Sequence, residues 1–235
     1  MQVLNAPWPW WGTLRGRPLT IADLIARATL TSEAAAALSW AMQHGASVFV
    51  AAGPPGAGKS TLANALLEYL PDDAQVYVTS GGWDRIQIPA VSDGPVYLLI
   101  NELSGHMPMY LYGAAAQEAF KLLRDGVRMV GTLHARSGEE ALQVMCYEAN
   151  VQRDALAAPF VFAVLRAHWE GQRILRHVTE LAFLTPFGKL SCLARGSGDG
   201  LRLEADGVRA LADWTGTGVE DVETDIARRA AQLPA

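Results

Sequence analysis

Residues 53–61 read Gly-Pro-Pro-Gly-Ala-Gly-Lys-Ser-Thr and fit the spacing G-x-x-x-x-G-K-[ST], with Gly53, Gly58, Lys59 and Ser60 at its fixed positions. The chemistry of that spacing is phosphate binding. Small residues such as Gly56, Ala57 and Gly58 let the backbone curl so that successive N–H groups converge on phosphate oxygens. A following helix presents its unbonded amides and the positive end of its dipole to the same anion. Lys59 supplies a compact charge for the β and γ phosphates, and the Ser60 hydroxyl suits magnesium. Hydrolysis of a bound nucleotide needs a further group that orients or deprotonates water. Glu102, which ends the apolar run 94–102 (GPVYLLINE), is the candidate, because the carboxyl ends of parallel strands face the ligand crevice. The plain alternative is a strand-end acid that caps a helix or faces solvent.

The elements that must hold these residues are visible as hydrophobic patterns. The continuous apolar run 46–53 predicts a strand buried on both faces, directly before the loop. Further strands are expected over 74–80, 94–102, 127–135 and 159–167. Helices are expected from Thr20, from about Thr31 to Gly45, over 59–69, over 113–126, and after Ser137. There Ser137 and Glu140 have the spacing of a capping box. From about residue 172 short alternating segments separated by Gly-rich turns predict antiparallel strands, followed by two helices near 205–213 and 219–232. The fold class expected is α/β: a doubly wound, mainly parallel sheet over 19–184, then a small antiparallel β/α extension over 185–235. Residues 1–18, with three tryptophans and three prolines, read as an extended arm.

Composition narrows the classes. Half of the 235 residues are apolar, enough for one sizeable core. A net charge of −5 argues against a protein that coats nucleic acid or an anionic membrane surface. No apolar run approaches the roughly 20 residues that span a bilayer, and the first residues lack a signal-peptide pattern, so a cytoplasmic location is expected. Two cysteines, Cys146 and Cys192, do not make a disulfide scaffold. Only three of the 19 basic residues are lysine, and one of them is Lys59.

A second motif carries a resemblance. The segment 131–142, GTLHARSGEEAL, lies between an expected strand and a capped helix. It resembles the His box of the type II/type IV secretion ATPases, P-loop motors of pilus assembly, conjugation and protein export. The loop, the segment LLINELSG (similar to the family's Walker B segment) and RILRHVTELAFL agree with it, so the likeness covers about residues 19–184. It implies a P-loop NTPase of RecA-like fold that uses ATP and Mg2+. Lys59, Ser60 and Thr61 would serve phosphates and magnesium. Glu102 would polarise the attacking water near the metal, and His134 would report on the γ-phosphate. Thr132 is a weaker candidate, and His106 is expected to be a loop residue. The resemblance also implies a hexameric ring, peripheral to the inner face of the membrane and in contact with membrane-bound secretion or pilus components. No direct nucleic-acid contact is expected.

The departures from the family are specific. Its acidic box falls on VTSGGWDRI, where Ser80 and Gly81 occupy the acidic pair and only Asp84 remains. Asn101 stands where glycine is common, and Arg136 where asparagine is usual. The family's N-terminal domain is matched only by the arm, whose Arg15 and Arg17 lie about where linker arginines reach the phosphates. Two functions follow as expectations: an ATP-hydrolysing motor, or a nucleotide-binding regulatory subunit that hydrolyses little. A small-molecule kinase would need an acceptor lid, which is not apparent, and would leave the His box unexplained.

Overall fold

The structure is a computed structural model; it describes residues 1–4, 18–53, 55–88, 94–153, 156–186, 188–197 and 200–234. In chain order the strands are β1 (Gln2–Val3), β2 (Ser47–Ala51), β3 (Gln75–Val78), β4 (Val96–Ile100), β5 (Arg128–Leu133), β6 (Phe160–Glu170), β7 (Arg173–Leu184), β8 (Leu190–Ser197) and β9 (Gly200–Leu203). The helices are α1 (Ile21–Ala26), α2 (Ser32–Gln43), α3 (Lys59–Leu66), α4 (Gly113–Lys121), α5 (Gly138–Ala149), α6 (Ala205–Thr215) and α7 (Val219–Ala230). Among the described residues all nine strands form one sheet in the order β1-β3-β4-β5-β2-β6-β7-β8-β9. From β1 to β6 every pairing is parallel, and from β6 to β9 every pairing is antiparallel. Strand β6 therefore belongs to both regimes. Its first half pairs with β2, and its full length pairs with β7 in a long hairpin.

Strand periodicity divides the interior into two layers. Val48 and Val50 of β2 face a core built with α1, α2, α3, α6 and α7, whereas Phe49 and Ala51 face a second core built with α4 and α5. Helices thus cover both faces of the parallel region, which is why its strands are apolar throughout. Helix α2 has nine consecutive buried residues, Ala34 to Met42, because the sheet covers one side and α7 the other. Gly207 of α6 packs directly on β8, where a Cβ would meet the Cys192 carbonyl at 2.3 Å.

Helix ends follow local chemistry. Thr20 and Asp23 make the full capping box of α1: the Thr20 hydroxyl accepts from the Asp23 amide, and the Asp23 carboxylate accepts from the Thr20 amide. Such a cap contributes about 1 kcal/mol. The box expected at Ser137–Glu140 forms only by half. The Ser137 hydroxyl accepts from the Glu140 amide at 3.1 Å, but the Glu140 carboxylate accepts from the Arg136 amide at 2.7 Å instead. Residues 2–3 add a short parallel edge strand against β3, which the sequence pattern did not show.

Candidate nucleotide site

The sheet order decides which side chains meet. Strand β5 lies between β2 and β4, so the residues just past their carboxyl ends line up as Gly53, His134 and Glu102. His134 Nδ1 lies 3.0 Å from the Gly53 carbonyl oxygen, and its Nε2 lies 3.2 Å from Glu102 Oε1. A carbonyl only accepts, so Nδ1 carries the proton in the first contact. From the start of α3, Lys59 Nζ approaches both partners, at 3.4 Å from Glu102 Oε2 and 3.4 Å from each His134 ring nitrogen. These contacts exceed the roughly 2.7–2.9 Å of a tight charge-assisted bond, so the ammonium is held loosely enough to turn to another anion.

Burial gives this cluster its weight. Lys59 and Glu102 are 7% and 6% exposed. A carboxylate at that depth costs several kcal/mol unless it is paired. Glu102 Oε2 has the lysine, but Oε1, although near His134, has no hydrogen-bond partner among the described residues. One acceptor therefore remains buried beside His134 without a hydrogen-bond partner. The backbone around it is held firmly. The Leu103 amide donates to Thr132 O at 2.8 Å, the Thr132 hydroxyl donates to Asn101 O at 2.5 Å, and the Leu111 amide donates to Glu102 O at 2.9 Å. Thr132 thus braces the β4–β5 tips and does not line the cavity.

The loop encloses a cavity of about 1140 Å³ lined by Gly56, Ala57, Gly58, Lys59, Ser60 and Thr61, with Glu102 and His134 on the same wall. Gly58 is the N-cap of α3 with φ +102°, a conformation that favours glycine, and no side chain caps the helix. The first-turn amides of Lys59, Ser60 and Thr61 have no intrahelical acceptor and are available to an anion. These donors, the ammonium and the Ser60 hydroxyl fit a magnesium-bound polyphosphate, with Glu102 lining the same cavity. Tyr110 also lines the cavity; burial, and then the Glu102 charge, raise its pKa, so its phenol stays neutral.

Other expected residues fall elsewhere. Arg15 and Arg17 lie outside the described residues. His106 is an exposed loop residue, bonded through Nδ1 to the Ser104 hydroxyl, with its ring 6.2 Å from that of His134. Arg136 lies along the loop: a Cβ on Gly53 would come within 3.0 Å of Arg136 Cγ. Asp84 is not on the cavity wall. It accepts from the Tyr77 hydroxyl at 2.9 Å and from the Ser80 amide at 2.8 Å, which closes the turn after β3. Burial, and then this bond to Asp84, push Tyr77 up to about 12. Sequence reading missed three arginines on the cavity wall, Arg27, Arg173 and Arg176. No local motif marks them, because the fold of the β6–β7 hairpin brings two of them there.

No family model and no curated protein matches the chain. Among solved structures, the VirB11 ATPase from the Brucella suis type IV secretion system, in complex with sulphate, is similar at 18% identity and a TM-score of 0.39. That likeness covers 61% of this chain and 50% of the other. The Legionella pneumophila ATPase DotB is similar at 11% identity and a TM-score of 0.43, over 92% of this chain and 58% of the other. The chain thus spans about half the length of the first and somewhat more of the second, and neither likeness is high enough to assign a family. Among the described residues no helix is long and apolar enough to cross a membrane.

Proposed function

We propose that the chain is a P-loop ATPase of RecA-like architecture that binds Mg-ATP on loop 53–61 and hydrolyses it with Glu102. The observation that carries this reading is the meeting of Lys59, Glu102 and His134 within 3.4 Å of one another beside the loop, from three separate elements. Magnesium, held through the Ser60 hydroxyl, the phosphates and the side of Glu102, would supply Lewis-acid charge when bound. The amides of α3 and Lys59 orient the phosphate chain. Glu102, one of whose buried oxygens lacks a hydrogen-bond partner, would take a proton from water. His134, joined to Gly53 on one side and Glu102 on the other, is placed to pass the state of the site to β5. Together with the resemblance of residues 131–142 to a His box, this supports a secretion-type or pilus-type motor subunit, assembled as a ring. Its partners would be membrane-bound components of such a machine.

A second reading, a regulatory subunit that binds nucleotide and turns it over slowly, is favoured by one observation. The stretch that should bring further carboxylates to the metal is committed to structure, with Asp84 tied to Tyr77 and Ser80. Steady-state ATP hydrolysis with magnesium separates the two, measured over a protein concentration series. The motor predicts turnover that rises with assembly and is lost in both Lys59→Ala and Glu102→Gln. ATP binding that only Lys59→Ala removes, with no turnover above background, selects the regulatory subunit.

A further inference from the structure

Three arginines line the cavity that holds the loop, Arg27 after α1 and Arg173 and Arg176 on β7. Among the described residues none of the three is paired with a carboxylate, in a chain whose net charge is −5. Unpaired cations gathered on one wall of an acidic protein create a local field suited to an anion.

Arg176 is the best placed of them. In the hairpin register it stands opposite Ala167, two residues along from the Leu165–Val178 pair, so all four share one face. That face covers the loop. A Cβ on Gly58 would lie 3.1 Å from Arg176 Cδ and 3.4 Å from Leu165 Cδ2. Arg176 Nη2 donates to the Gly56 carbonyl at 3.3 Å. A long bond to a neutral carbonyl is a weak use of a guanidinium, whose planar fork matches phosphate oxygens. No hydrogen bond or ion pair joins Arg176 to Glu102 or His134, the groups around the reacting end. Ile174, Leu175 and His177 beside it on β7 line the same cavity.

Building on the nucleotide reading, we propose that Arg176 is a phosphate-binding arginine supplied by this same chain. It leaves the Gly56 carbonyl to grip the phosphates that are not transferred, with Arg27 and Arg173 adding long-range attraction. The requirement for an arginine at the site is then met by the hairpin within one subunit.

The test is binding of fluorescent N-methylanthraniloyl ATP and ADP with magnesium over a salt series. It compares the wild type, Arg176→Ala, Arg176→Gln and Arg176→Lys, each checked by thermal melting. Loss of a charged hydrogen bond of this kind weakens affinity roughly ten- to hundredfold. Arg176→Ala and Arg176→Gln should lose that factor equally for ATP and ADP, with a flatter salt dependence and an unchanged melt. Arg176→Lys, which keeps the charge without the fork, should recover part of it. Affinities within twofold of wild type with unchanged salt dependence would overturn the proposal. So would a loss confined to ATP, which would move the contact to the transferred phosphate, or a loss that merely follows a lowered melt. Lys59→Ala in the same series isolates the underlying reading: if the wild type binds neither nucleotide, or Lys59→Ala binds like the wild type, the nucleotide site itself fails and Arg176 with it.

Discussion

The tips of β3 and β4 are neighbours in one parallel sheet, each is followed by a carboxylate, and the two carboxylates are used in opposite ways. Past β4, Glu102 is buried against Lys59 with one oxygen left without a hydrogen-bond partner. Past β3, both oxygens of Asp84 are spent on Tyr77 and the Ser80 amide. The backbone reinforces the difference. Gly81 has φ +124°, and a Cβ there would lie 2.3 Å from the Pro108 carbonyl. No side chain fits at that position without displacing the segment that ties Glu102 in place, whose Pro108 carbonyl accepts from the Gly82 amide at 3.2 Å. Position along the sheet therefore does not make a carboxylate chemical. What matters is whether its second oxygen has been left without a structural partner.

The sharpest way to break this comparison is Glu102→Gln, which keeps the shape and removes the proposed base. Turnover should fall by roughly 10²–10⁴-fold while nucleotide binding persists, as read by paired hydrolysis and binding assays. Equal activity would reduce Glu102 to a strand-end acid like Asp84. Gly81→Asp, which places a carboxylate where the resemblance expects one, should not raise turnover. It combines a backbone unsuited to a side chain with a steric overlap, and should cost about 2–4 kcal/mol in denaturant unfolding. A stable, faster variant would contradict the steric account. His134→Ala should lower turnover by about tenfold with ATP affinity nearly kept, since the imidazole touches Glu102 and Gly53 without being the base.

The smallest effect is expected at Asp84→Asn, about 1 kcal/mol of stability and no change in turnover per bound nucleotide. Its signature lies in alkaline titration. Tyr77 is raised to about 12 in the folded chain, above the ordinary tyrosine value, so its contribution is complete below about pH 10 and is lost as pH rises toward 12. Removing the Asp84 charge should lower that upper limit, though not fully, because burial is the larger cause. Ultraviolet titration of tyrosinate absorbance would follow it. An unchanged curve would mean that Asp84 does not hold the Tyr77 hydroxyl.

Much of this was legible in the amino-acid order. The strand before the loop, the helix after it, the run that ends at Glu102 and the strand that ends at His134 were all readable. Parallel strands buried on both faces are written as unbroken apolar segments, and loop and helix ends as Gly, Thr and Ser. The turn into α3 was readable for the same local reason, since Gly58 takes a left-handed conformation and α3 starts at Lys59. Other features depended on strand order, which local pattern does not encode. Interposing β5 between β2 and β4 is what brings His134 within reach of both Gly53 and Glu102. The β6–β7 hairpin carries Arg176 to the loop across 120 residues of sequence. The crowding at Gly81 arises from Pro108, on a segment that only the folded chain brings near. The sequence by itself determined which residue types stand ready for phosphate-binding and proton-moving chemistry in the proposed site. The tertiary structure alone decided which carboxylate kept a free oxygen and which arginine faces the loop, because those outcomes depend on contacts between segments far apart in the chain.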